Sequence, residues 1–288
     1  MDWIDQAKKI AEQAGYKRVL VHLPAGLMDR WPELNQLADE VLFWSDPCFG
    51  ACDVPLYSLK LLGADALFSF GHSTAPSIEY PKSVHIIEVY LSSTLPKFVP
   101  DFERVGLVYV IQHRQQVKAY KAFLESKNKK VVLGGKPSFM AKYTGQITGC
   151  DIGAAQAIVE HIDGFVVISD GSFHTKAVAE LGKPVFNWLG EQTKKIKKNP
   201  AAMIMTAKKI GVLVSTKPGQ FDLEKACKLT AKLQESGKTV VLVIGNTISD
   251  EIKNFGVDLW VNTACPRLVE DDFIKPALKS GEIDFTLE

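Results

Sequence analysis

The 288-residue sequence has no CxxC pair anywhere along it. Structural zinc sites are normally assembled from such close pairs, so their absence weighs against a zinc module. The cysteine runs of ferredoxins are missing as well. There is no P-loop and no GxGxxG after a strand-like stretch, so neither ATP nor a nicotinamide cofactor is indicated. No run approaches the roughly 18 apolar residues that would span a bilayer. The longest, such as VVLVI at 240–244, have the length of a buried strand. The N-terminal MDWIDQAKKIAEQAG reads as an amphipathic helix charged throughout, without the apolar core of a signal peptide. A cytoplasmic protein is therefore expected. Net charge is scarce too: 34 Lys and Arg against 33 Asp and Glu leave +1. That is too little for a protein built on non-specific attraction to nucleic acid. Cysteines number only five, an odd count that in a reducing compartment favours thiols or ligands over disulfides.

What is present is an ordinary globular composition, 46% hydrophobic and 23% charged, in which short apolar strands alternate with helices. The first third offers strands at 18–24, 40–46, 65–71 and 83–91, with helices beginning at PELNQLA and over 57–64. The second has strands at 104–113, 130–135, 164–171 and 183–189, with helices over 115–129, 151–162 and 176–182. The last has strands at 208–216, 238–246 and 257–265, a helix over 222–237 and another at ISDEIKNFG. Continuously apolar strands alternating with helices predict parallel sheets covered on both faces. The pattern restarts twice, as a diverged repeat too long for a solenoid. The expected fold is α/β: three repeated α/β domains, 1–98, 99–200 and 201–288, with parallel sheets around a pseudo-threefold axis. The boundaries fall near Pro96–Pro100 and near EQTKKIKKNP at 191–200. The latter basic stretch reads as a solvated linker or, alternatively, a contact surface.

Three cysteines stand just beyond strand-like stretches, about a third of the chain apart: Cys52 in FGACD, Cys150 in ITGCDIG and Cys265 in TACPRL. Taken singly, each is a candidate core thiol. Cys227, inside the amphipathic EKACKLTAK, fits that role, and Cys48 in DPCFGACD is ambiguous. Taken together, their small or turn-forming neighbours (Gly50-Ala51, Gly149, Ala264 and Pro266) would let a bulky inorganic group approach the backbone. Two of the three precede helical stretches, whose N-termini favour a thiolate. Three thiolates satisfy three irons of a cubane and leave one open for chemistry.

FGACD, LGADALFSFGHS, TGQITGCDIGAA and VNTACPRL together closely resemble the diphthamide-biosynthesis family whose first-step enzyme is a 2-(3-amino-3-carboxypropyl)histidine synthase. The resemblance covers essentially the whole chain and is to the archaeal form of the enzyme. It implies one cysteine from each of three α/β domains on a 4Fe-4S cluster, here Cys52, Cys150 and Cys265. It implies S-adenosylmethionine at the fourth iron and a homodimer. The protein substrate is translation elongation factor 2, and the electron donor is left unspecified. The family is a noncanonical radical-SAM transferase. It cleaves the sulfonium bond to the methionine γ-carbon, adds the 3-amino-3-carboxypropyl group to C2 of a histidine imidazole, and releases 5′-methylthioadenosine. The usual radical-SAM signature is absent, because the CxxxC of Cys48 and Cys52 is not followed by CxxC.

Candidate contacts to S-adenosylmethionine follow strands, where open α/β sheets gather ligands. They are Gln112 and His113, Gly171 and His174 of the DGSFH segment, Gln220, and Arg267, whose guanidinium suits a carboxylate. Gly71-His72-Ser73 lies at a similar strand end, and the loop after His22 could border the site. His85 and His161 read as structural. Two rival readings stay open. One is a quinolinate-synthase-like dehydratase, which also has three α/β repeats and a three-cysteine cluster acting as a Lewis acid. The other is a non-enzymatic small-molecule-binding α/β protein with incidental thiols.

Overall fold

A computed structural model describes residues 2–194, 198–270, 274 and 276–283. The chain forms two compact units, Met1–Lys195 and Ile196–Glu288.

The first unit opens with α1 (Trp3–Ala14), capped by the Asp2 carboxylate and stopped by Gly15 in the left-handed region at φ 65°. Ile4, Ala7 and Ala11, spaced for one helix face, pack on Val19, Val21, Phe68 and Phe70. β1 (Arg18–His22), α2 (Trp31–Leu34), β2 (Glu40–Trp44), α3 (Leu56–Leu62), β3 (Ala66–Phe70) and β4 (Val84–Ile87) follow. They build a parallel sheet of order β2-β1-β3-β4. The same unit holds a second sheet. Its elements are β5 (Arg104–Tyr109), α4 (Val117–Ser126), β6 (Lys130–Leu133), α5 (Gly153–Gln156), β7 (Gly164–Ile168), α6 (Ser172–Ala179), β8 (Val185–Asn187) and β9 (Gln192–Thr193). The order is β6-β5-β7-β8-β9, and only the last pair is antiparallel.

The second unit contains α7 (Pro200–Thr206), β10 (Lys209–Ser215), α8 (Leu223–Glu235), β11 (Thr239–Gly245), β12 (Leu259–Asn262), α9 (Arg267–Glu270) and β13 (Ala277–Lys279). Its sheet is parallel, in the order β11-β10-β12-β13.

All three sheets therefore place the first strand of the repeat at an inner position, the second outside it and the third on its other flank. The expected repeated α/β fold with parallel sheets is what the chain forms. One further device recurs. An aspartate immediately before the third strand of each repeat accepts backbone amides at the start of the first strand. Asp65 takes those of Lys17 and Arg18, Asp163 that of Arg104, and Asp258 those of Lys208 and Lys209. Those bonds, and for Asp163 chiefly the Arg104 side chain, hold each carboxyl below its ordinary range.

Several elements differ from the sequence reading. The strand expected at 104–113 stops at Tyr109, and Ile111–Gln116 turns into a 3-10 helix ahead of α4. The helix expected over 151–162 is only α5 plus a 3-10 turn, and ISDEIKNFG is 3-10 over Asp250–Phe255. The strand expected to deliver Cys265 ends at Asn262. α7 and β9 were not anticipated. Within the basic stretch at 191–200, residues 195–197 lie outside the described residues.

Candidate functional site

In a parallel sheet every strand delivers its carboxyl end to the same edge, so loops leaving those ends are neighbours. In the first unit the carboxyl edge of the first sheet carries His22, the loop with Cys48 and Cys52, and Gly71-His72-Ser73, and that of the second carries Gln112-His113 and Asp170-Gly171. In the second unit that edge carries Lys217–Gln220 and the loop with Cys265.

Cys52 lies in a 3-10 turn, Ala51–Asp53. It is 8% exposed and packs with Ala51, Ala75 and Met140. The turn is closed by Asp53, whose carboxylate accepts the Phe49 amide at 3.1 Å. A β-carbon at Gly50 would stand 3.3 Å from the Cys52 sulfur, so glycine keeps that side of the thiol open.

Cys150 has exposed surface, and its sulfur lies 3.4 Å from Thr148 Oγ1. Enough protein still surrounds the sulfur to push the thiol upward by burial, and the Asp151 charge adds to this against the Thr148 contact. Gly149 is required on steric grounds, since a β-carbon there would fall 2.0 Å from the Phe173 ring. Asp151 is buried and accepts amides from residues 138–141 and 153. Met140 on that loop shares a buried cluster with Ala51, Cys52 and Ala75, so the first two cysteine loops adjoin within one unit.

Cys265 lies between β12 and α9. Buried Asn262 folds the loop, donating to the Cys265 carbonyl at 2.8 Å and accepting the Ala264 amide at 3.0 Å. Arg267 starts α9, and Gln220 ends a turn whose amide donates to the Lys217 carbonyl.

The Gln112 side chain donates to the Gly71 carbonyl at 2.7 Å, tying a loop of the first sheet to one of the second. His113 is 1% exposed, and its Nε2 lies 3.0 Å from Asp170 Oδ2. The carboxylate only accepts, so that nitrogen carries a proton. Among the described residues the other ring nitrogen, Nδ1, is buried without a hydrogen-bond partner. Trp188 completes the group, donating to Asp170 Oδ1 at 3.1 Å with its ring 4.7 Å from the His113 ring. Gly171 precedes α6 with open space where a β-carbon would stand, and His174 packs its ring against Phe173 within α6.

Cys48, ambiguous in sequence, sits 3.5 Å from His22 Nδ1 and 3.9 Å from His72 Nδ1. Cys227 is exposed on α8. His85 is a structural residue, bonded to the Tyr16 hydroxyl and stacked on Phe68. His72 is half-buried by surface area, yet protein packs densely around its ring. That burial pushes its pKa down to about 4, against a smaller opposing contribution from the Phe70 backbone. The folded value lies below the unfolded one, so the unfolded chain takes the proton first. The stability contribution is present above pH about 6.5 and is lost as pH falls toward 4. Urea midpoints should therefore fall across that window, and His72→Asn should flatten that part of the profile. Parallel pH profiles for the two proteins would refute the assignment.

Among the described residues, no three His, Cys, Asp or Glu side chains are placed to hold a single metal ion. The donor chemistry suits a cluster better. Cys52 and Cys150 sit on separate loops with a glycine close by, so each thiol can meet a different iron, whereas one ion would need them in a single coordination sphere.

The family model for diphthamide synthesis proteins matches residues 29–288. The chain belongs to that family. It is 30% identical to the 2-(3-amino-3-carboxypropyl)histidine synthase of Pyrococcus horikoshii, over 97% of this chain and 88% of the relative. Subunit 1 of the corresponding synthase from Kluyveromyces lactis is 24% identical, over 94% of this chain and 72% of its own. A crystal structure of Dph2 from Pyrococcus horikoshii with a 4Fe-4S cluster superposes with a TM-score of 0.81 at 27% identity. That match covers 99% of this chain and 90% of the other. The family resolves the resemblance in favour of the diphthamide reading over the quinolinate-synthase-like and non-enzymatic ones. No helix among the described residues is long and apolar enough to cross a membrane.

The sequence reading missed Asp151 and Trp188 as parts of the site, and took Asp170 only as the first residue of the DGSFH segment. For Asp151 a signal existed: the dipeptide Cys-Asp occurs at both Cys52-Asp53 and Cys150-Asp151, and both aspartates close their loops. Trp188 had none.

Proposed function

We propose that this protein transfers the 3-amino-3-carboxypropyl group of S-adenosylmethionine to C2 of a histidine imidazole in translation elongation factor 2, releasing 5′-methylthioadenosine. The observation that carries the reading is the pair of adjoining loops bearing Cys52 and Cys150, in a chain of this family. In this proposal Cys52, Cys150 and Cys265 hold a 4Fe-4S cluster, one from each of three domains, 1–98, 99–200 and 201–288. Bound there, the cluster supplies the electron that breaks the sulfonium–γ-carbon bond, with one iron left free of protein ligands.

The chain's own task is to present the correct bond of S-adenosylmethionine and to exclude water. Arg267 would take the methionine carboxylate in a charge-assisted pair. Gln112 spends its amide N–H on Gly71 and keeps its oxygen as an acceptor. His113, clamped by Asp170 and Trp188, is held in one orientation. Gly171 leaves backbone approachable, and His174 and Gln220 supply further polar contacts at strand ends. We assign the protein to the cytoplasm and to a homodimer, in line with an archaeal member of the family.

The test is anaerobic incubation of reconstituted protein with reductant, S-adenosylmethionine and archaeal elongation factor 2. Methylthioadenosine and a modified histidine on the factor are expected. Release of 5′-deoxyadenosine alone, or turnover independent of the factor, would contradict the assignment.

A further inference from the structure

We propose that Asp151, together with Tyr80, is a positioning residue that sets the separation of the Cys52 and Cys150 sulfurs before any cluster binds. The inference rests on the reading that both thiols are cluster ligands.

Carboxylates are rarely buried without a purpose-built partner. Asp151 is 1% exposed, and its partners are all backbone. Oδ1 accepts the amides of Ser138 and Gly153, each at 3.1 Å. Oδ2 accepts those of Phe139, Met140 and Ala141 at 2.8, 2.7 and 3.0 Å. Burial by itself would raise this carboxyl, but the amides of Ala141, Phe139, Met140 and Ser138 outweigh it and hold the group ionised. Residues 138–141 belong to no strand or helix, so their N–H groups need an acceptor, and one side chain provides it. The loop is also pressed onto the Cys150 segment: a β-carbon at Gly153 would lie 2.0 Å from Ser138 Oγ.

The far side of the same loop reaches Cys52. The Phe139 carbonyl accepts the Ser77 amide at 3.1 Å, and the Ser77 hydroxyl donates to Met140 Sδ at 3.5 Å. Met140 is 6% exposed and packs with Ala51, Cys52 and Ala75. The Tyr80 hydroxyl accepts the Ala75 amide at 3.3 Å and donates to the Ala51 carbonyl at 3.0 Å, the residue before Cys52. The Cys150 end is closed equally firmly. Thr148 Oγ1 accepts the Asp151 amide at 3.0 Å, and the Thr148 amide donates to the Asp151 carbonyl at 2.9 Å.

A run of hydrogen bonds and buried packing therefore joins one thiol loop to the other inside a single unit. A cubane has rigid edges, so thiolates that hold it must already stand at the matching separation or the cluster is bound under strain. Support of this kind around metal ligands governs retention without touching the metal.

The experiment compares the full-length protein with Asp151→Asn, Tyr80→Phe and Cys150→Ala, each reconstituted anaerobically with iron and sulfide. The readouts are iron per chain, the rate of iron release to a chelator, the electron paramagnetic resonance spectrum of the reduced cluster and the thermal midpoint of the metal-free protein. Asp151→Asn is expected to load iron but to release it on the order of tenfold faster, with altered g-values. Tyr80→Phe, which removes one hydroxyl, is expected to shift release and spectrum in the same direction with an unchanged thermal midpoint. Should Asp151→Asn fail to fold, Tyr80→Phe decides alone. Wild-type release and spectra in the folded variants, while Cys150→Ala loses its iron, would overturn the positioning role and leave the ligand set standing. A Cys150→Ala protein that keeps a wild-type cluster would instead overturn the ligand set, and this proposal with it.

Discussion

Cys52→Ala, Cys150→Ala and Cys265→Ala are each expected to lose the brown colour and most of the iron that the unaltered protein carries after anaerobic reconstitution. Loss of an outer-sphere partner already costs about 10–100-fold in metal affinity, so removing a ligand itself should cost at least as much. The substitutions are mild toward the fold. Cys150 is exposed and Cys265 half-buried, and only Cys52 contributes to a buried cluster. Thermal midpoints of the metal-free variants should therefore stay close to that of the parent. Cys227→Ala is the internal control, because Cys227 is exposed on α8. Iron assay and visible absorption decide the matter. An iron content equal to the parent in any of the three single variants would remove that residue from the ligand set, and loss in Cys227→Ala would point to non-specific damage.

Trp188→Ala should be strongly destabilising, unlike the cysteine changes. Trp188 is 1% exposed and is the largest fully buried side chain among the described residues. It packs edge-on against Tyr120 and tilted against His113, and its indole N–H holds Asp170. Truncating a buried tryptophan to alanine costs about 3–5 kcal/mol through lost packing and the cavity left behind. Trp188→Phe keeps an aromatic ring and removes the donor. Its cost should sit near the lower end of the roughly 1–3 kcal/mol for an orphaned acceptor, because half-exposed Asp170 can turn toward water. Urea unfolding of the metal-free proteins measures both. A Trp188→Ala loss below about 1 kcal/mol would mean that the site relaxes freely and that the His113–Asp170 pair is not held by packing. If that pair does orient His113, Trp188→Phe should also change turnover more than its small stability cost accounts for.

Much of this was legible along the chain. Val, Leu and Ile runs such as RVLVH, ALFSF and KIGVLVS became inner strands, since a run apolar on both faces is satisfied only inside a covered parallel sheet. The three cysteines could be singled out as candidates because each follows a strand-like stretch, about a third of the chain apart, among small or turn-forming neighbours. Helix length was less legible. GAAQAIVEHI has helical periodicity, yet the chain makes only four α-helical residues there, Gly153–Gln156. The Asp151 network fixes the start of that segment, and its end turns through a 3-10 helix into β7. Tertiary hydrogen bonds outweigh a propensity that spans only tenths of a kcal/mol per residue.

By itself, then, the sequence determined the alternation of strand and helix, the threefold repetition and where the cysteines fall in it. These depend on side chains a few positions apart, and chain periodicity records them. The tertiary structure alone decided that Asp151 binds amides ten or more residues upstream, that Tyr80 steadies the turn carrying Cys52, and that Trp188 clamps His113 through Asp170. A buried carboxylate or indole is stable only where folding places the matching donor or acceptor against it, and that placement follows from how the sheet edges pack, which no local pattern encodes.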